Sequence, residues 1–146
     1  MATKFSQFAF GGAIAAGDQV VGLRNGIDTR FLAPALPVLP WTVVVVGQPL
    51  AVNEGYIMNN PVPAIYTLPT VAAVGQIIEI VSITHSTVQI AQNAGQVILI
   101  GNMPSTQGVG GSITSTAQGD SIILLCVLAN SLFVSLGGTQ GNWNIV

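Results

Sequence analysis

Charge is what this sequence has least of. Its 146 residues include three Lys or Arg and five Asp or Glu, 5% of the chain, against about 25% in an average soluble domain. Half of the residues are hydrophobic, and the mean hydropathy is +0.68. Gln, Asn, Ser, Thr and Gly fill the gaps, so the surface is built mostly of neutral polar groups and small side chains. Neutral surfaces repel one another weakly, and an isolated copy of such a chain tends to associate. The composition therefore predicts that much of the surface is buried against copies of itself or in a larger assembly.

Cations are the scarcest class. They are Lys4, Arg24 and Arg30, and residues 31–146 carry Glu54, Glu79 and Asp120 with no cation at all. Nucleic-acid binding needs cations against phosphate and is excluded on that inventory. Cysteine is reduced to Cys126. One thiol excludes an intrachain disulfide framework and a Cys-based metal site. Its apolar surroundings, SIILLCVL, read as those of a buried small hydrophobe.

A long apolar helix is missing too. The best candidate span, residues 121–136, is broken by Asn130 and Ser131 and falls short of the roughly 20 apolar residues that a membrane crossing needs. A transmembrane barrel gives a weaker signal per strand but needs aromatic girdles. Two Trp, two Tyr and five Phe are too few for them. The opening MATKFSQFAFGG has one lysine and no sustained apolar run, so it does not read as a secretory signal. No membrane partner is expected.

Helical periodicity with caps is absent, whereas strand signals recur throughout. QIIEIVSI (residues 76–83), TVQIAQ (87–92), QVILIG (96–101) and SIILLCVL (121–128) are rich in β-branched residues and bounded by turn formers. THST and NAG are short connections, and LANSLF reads as a hairpin turn centred on Asn130 and Ser131. Many short strands with frequent turns predict an all-β fold, an antiparallel β-sandwich or jelly-roll-like domain.

The chain divides at FLAPALPVLPW (31–41). Pro34, Pro37 and Pro40 cannot continue a ladder and favour a stiff extended connector. Residues 1–31 then form an arm, 32–40 the connector and 41–146 the folded domain. Half of the charged residues, Asp18, Arg24, Asp28 and Arg30, fall within GDQVVGLRNGIDTRF (17–31) of the arm. NNPVPAIYTLP (59–69) adds three prolines and reads as an irregular surface loop or an edge strand.

Catalytic machinery is poor on inventory. A Ser-His-Asp arrangement would have to use His85, with Glu79 or Asp120 to orient it. Glycoside cleavage would need two of Glu54, Glu79 and Asp120, and their spacing singles out no pair. A metal site within one chain would have one imidazole and scattered carboxylates, which is insufficient. The glycines of QGVGGS (107–112) lack the Lys-Ser/Thr ending of a phosphate loop. No enzymatic activity and no cofactor are expected.

What remains is a neutral binding surface. NEGYIMNN, QIAQNAGQ and STQGVGGSITSTAQ gather amides and hydroxyls, which donate and accept as sugar hydroxyls do. Tyr56, Tyr66 and Trp143 are the aromatic candidates to cover apolar sugar faces of a receptor. The equally physical alternative is that these amides meet identical neighbouring chains.

From residue 53 onward the sequence resembles the C-terminal head domain of bacteriophage tail fibres and related trimeric fibre proteins. The matching pieces run in order as NEGYIMNN, TLP, AVGQIIEI, IAQNAGQVILIG, STQGVGGSITSTAQGDSIILLCV and GNWNIV. GDQVVGLRNGIDTRF is similar to a segment near the start of many phage tail proteins, where it attaches a fibre or spike to the particle. Many such heads carry an aromatic just before the IAQ strand, whereas this chain has STVQIAQ. The resemblance implies a homotrimeric β-structured head on a virion, without cofactor and usually without catalysis, and the neutral polar loops add the expectation of contact with a host surface glycan. Its arm would dock through Asp18, Arg24, Asp28 and Arg30 to another virion protein, of the tail or the capsid. A typical fibre has a long shaft between anchor and head. Here a proline connector takes its place, so a trimeric capsid cement or decoration protein is the alternative, and a glycan-cleaving tailspike a remoter one.

Overall fold

The computed structural model describes residues 19–24, 27–32, 39–137 and 139–146. The chain divides into two units between Val38 and Leu39. In the first, β1 (Gln19–Arg24) pairs antiparallel with β2 (Ile27–Leu32), from Gln19 opposite Leu32 to Arg24 opposite Ile27. Asn25 and Gly26 join them in the sequence, and Asn-Gly between two apolar runs is the strongest short-range hairpin signal. Arg24 closes β1, and Asp28 and Arg30 lie on β2. Asp18 lies outside the described residues, as do the rest of residues 1–18 and residues 33–38 of the connector.

The second unit begins at Leu39. Its strands are β3 (Trp41–Val44), β4 (Glu54–Met58), β5 (Ala64–Thr67), β6 (Ile77–Ser82), β7 (Val88–Ala91), β8 (Val97–Ile100), β9 (Met103–Pro104), β10 (Ser112–Ser115), β11 (Ser121–Leu128), β12 (Leu132–Ser135) and β13 (Trp143–Ile145). Among the described residues there is no helix. The four apolar runs read from the sequence are β6, β7, β8 and β11. The turn expected at LANSLF joins β11 to β12, with Asn130 at φ 61°, the left-handed conformation that Asn tolerates better than most residues.

Two sheets form, one of seven strands in the order β3-β4-β6-β11-β12-β8-β9 and one of four in the order β13-β10-β7-β5. The fold is all-β and consistent with a β-sandwich. The expectation of antiparallel sheets is corrected, because both sheets are mixed. β3 with β4, β4 with β6, β12 with β8, and β5 with β7 all run parallel. The reason is the path of the chain. After β4 it enters the small sheet as β5, returns as β6 and crosses again as β7. A strand that crosses to the other sheet and comes back resumes its former direction, so β4 and β6 are parallel, as are β5 and β7.

Alternation along each strand builds the core from facing side chains of the two sheets. Met58, Ile78, Ile80, Ile98, Leu124 and Phe133 of the large sheet are fully buried with Tyr66, Val88, Ile90 and Ile113 of the small one. β5 is an edge strand, the second of the two readings its flanking prolines left open. Its outer side is capped by an isolated bridge between Pro49 and Thr67.

Candidate binding surfaces

The amide-rich loops turn largely inward. Gln92 Nε2 donates to Ser105 Oγ at 2.7 Å, and Gln96 Nε2 to the Pro69 carbonyl at 2.8 Å. Asn93 Nδ2 donates to the Leu68 carbonyl at 2.6 Å. Asn60 Nδ2 serves the carbonyls of Val62 and Thr87, while Thr84 Oγ1 donates to the Asn60 carbonyl. Gln92, Gln96, Asn60 and Thr84 are all buried. Most of these bonds satisfy loop carbonyls, those of Asn60, Val62, Leu68 and Pro69, and a buried carbonyl left unpaired is costly. Much of what composition offered as ligand surface is thus internal bracing.

Tyr56 and Tyr66 correct the sequence reading. Both are core residues, 3% and 0% exposed, and have no ring face free for a receptor. The Tyr56 hydroxyl accepts from the Ala51 backbone N–H at 2.7 Å, and Tyr66 Oη donates to Asn60 Oδ1 at 3.4 Å. Burial pushes the Tyr66 hydroxyl above the usual tyrosine pKa. Burial also raises Tyr56, with Glu54 adding to the rise and the Ala51 hydrogen bond opposing it. Tyrosine is amphipathic, so its type alone does not tell core from surface.

Trp143 is the one of the three with accessible surface. Its inner side packs on the core, and Nε1 donates to the Ser121 carbonyl at 3.4 Å. With Met103, Thr116, Thr139, Asn142 and Asn144 it lines an open depression of about 510 Å³. An indole beside hydroxyls and amides suits a neutral hydroxylated ligand.

The acid–base groups are dispersed. Asp120 is buried, and its Oδ2 accepts from the Thr116 and Ala117 N–H groups at 2.6 and 2.9 Å. That carboxylate closes the turn between β10 and β11. Glu79, on β6, lines a depression of about 390 Å³ with Trp41, Ser121 and Gln140. Glu54 lies beside Tyr56. His85 is exposed in the loop between β6 and β7 and lines a different open depression, of about 700 Å³, with Val45, Asn59, Pro61 and Ser86. Among the described residues no three His, Cys, Asp or Glu side chains gather as a metal site. Cys126 is buried.

Arg24, Asp28 and Arg30 stand on the hairpin, separate in sequence from every depression described above. No family model and no curated protein matches the chain.

Proposed function

We propose that the chain is a non-enzymatic structural protein of a phage virion, a homotrimeric tail-associated head that contacts the host surface. The division at Val38–Leu39 carries this reading. All three cations lie before it, and after it come 108 residues of nearly neutral β-structure, residues 39–146, with Glu54, Glu79 and Asp120 as the only charges. A small charged hairpin followed by a proline-rich stretch of sequence suits docking to another virion protein, since charge complementarity sets partner choice and register. The larger unit keeps its carboxylates apart and commits Asp120 to a turn, which supports a role without catalysis. Its contact with a host glycan would centre on Trp143, where each site binds weakly and three copies add avidity.

The capsid cement reading keeps one observation in its favour. β2 ends at Leu32 and the second unit begins at Leu39, so the sequence between them is far shorter than a fibre shaft. Electron microscopy of particles labelled through this protein distinguishes the two. Label at the tail and binding of the purified protein to host cells, lost on cells stripped of surface polysaccharide and reduced by Trp143→Ala, support the host-contact reading. Label over the capsid lattice, with no binding to either cell type, overturns it in favour of cement. Release of shorter oligosaccharides would overturn the non-enzymatic claim.

A further inference from the structure

The seven-stranded sheet is apolar on both faces. Its outer face is crossed by three rows of neighbouring side chains set by the strand register. Ile77, Leu125, Val134 and Leu99 form one row over β6, β11, β12 and β8. Val43, Ile57, Val81 and Ser121 form a second over β3, β4, β6 and β11. Trp41, Gly55, Glu79 and Ile123 lie between them. Trp41 and Val43 are 46% and 56% exposed, and the central rows are half-buried by their neighbours alone.

The small sheet supplies an internal control. The corresponding row on its outer face reads Ile65, Gln89, Thr114 and Asn144, as expected for a sheet with one face in water. The same chain therefore writes a polar outer face on one sheet and an apolar one on the other. Strands that read as continuous apolar runs, as SIILLCVL does, belong to sheets covered on both sides.

We infer that the outer face of the seven-stranded sheet is the interface on which copies of this chain meet. A second copy is the fitting occupant for three reasons. The face holds one ionisable group, Glu79, and residues 39–146 contain no Lys or Arg, so an anionic partner would find no cation to pair with and a cationic one a single carboxylate. Permanent interfaces between identical subunits are the most apolar class, and this face is apolar apart from Glu79 and Ser121. The extent is also adequate. Seven strands about 4.8 Å apart span about 30 Å, and with strands of two to eight residues the face projects on the order of 500 Å². That is the same order as the roughly 800 Å² per partner of a specific interface.

Glu79 sets the sign of a test. Packing copies of this face together brings like charges near one another without a compensating cation on the same unit, which opposes association. The inference rests on the proposal that the protein acts as an assembly of identical copies, and the two fail differently. Native mass spectrometry and sedimentation of the full chain at micromolar concentration test both. An oligomer is expected, which Ile123→Glu and Leu125→Glu each convert to a monomer with an unchanged β-type circular dichroism spectrum. Thr114→Glu, on the polar face of the small sheet, leaves it intact. Glu79→Gln, a near-isosteric change, tightens association by about tenfold or more. An oligomer that survives both apolar-to-Glu changes, or that Glu79→Gln weakens, overturns this interface while leaving the assembly reading in place. A wild-type monomer overturns both, as would a monomer that binds lipid vesicles or an unlike protein through this face.

Discussion

The ring of Trp41 occupies the space above Gly55, lying 2.5–2.7 Å from where a Cβ on that glycine would stand. The two residues are register partners on the parallel strands β3 and β4. Glycine weakens a strand unless something else uses the room it leaves, and here an indole does. Trp41 begins the edge strand, so this contact also fixes the edge of the large sheet.

Gly55→Ala should therefore force the indole aside and cost about 1–3 kcal/mol, measured as a lower denaturant midpoint. In a Trp41→Val background the same change should be near neutral. Equal destabilisation in both backgrounds would show that the cost comes from elsewhere on β4.

Asp120→Ala should cost about 1.5–3 kcal/mol, because it strands the Thr116 and Ala117 N–H groups at a buried turn. Gly141, at φ 76°, is held against the same carboxylate, so Gly141→Ala should also destabilise. Thermal unfolding of the two variants checks this. An Asp120→Ala protein as stable as the wild type would remove the carboxylate from the structural role assigned to it.

The buried tyrosines predict alkaline sensitivity. For Tyr56 and Tyr66 the folded state holds the proton more tightly than the unfolded chain, whose reference pKa is 10.0. Their contribution is fully present below about pH 10 and is lost as pH rises through the raised folded values. Denaturant midpoints should be flat across neutral pH and fall above about pH 10. Tyrosinate absorbance should appear together with loss of the β-type spectrum. Full ionisation of both tyrosines in a protein that stays folded would contradict their burial.

Arg24 and Arg30 test the docking role. Changing both to Ala should weaken attachment to particles lacking the native protein by about tenfold at low salt and much less at high salt. The fold of the second unit should be unaffected, since these residues lie before its start. Attachment insensitive to both substitution and salt would remove charge from the docking mechanism.

How much of this was legible in the sequence depended on how local the cause was. Strand positions and the Asn130 turn follow from alternation, β-branching and turn formers within a few residues, so QIIEIVSI and SIILLCVL could be read directly. Prolines that cannot donate to a ladder limited residues 59–69 to a surface loop or an edge strand, and β5 takes the second form. The scarcity of charge and its concentration near Arg24 and Arg30 likewise needed no coordinates. Pairing was different. Whether β4 lies beside β5 or β6 depends on the chain crossing between layers, and no short window records that crossing. Gln92, Gln96 and Asn60 read as surface because amides usually are, yet each finds a hydroxyl or carbonyl supplied from a distant segment. Tyr56 and Tyr66 suit either core or surface, and only the packing of two sheets put them inside. The apolar character of SIILLCVL was plain in the sequence, but tertiary structure decided that its two sets of alternate residues face different surroundings. One set fills the core, and the other joins Ile77, Val134 and Leu99 in a continuous outer face, because strand register alone determines which distant side chains become neighbours.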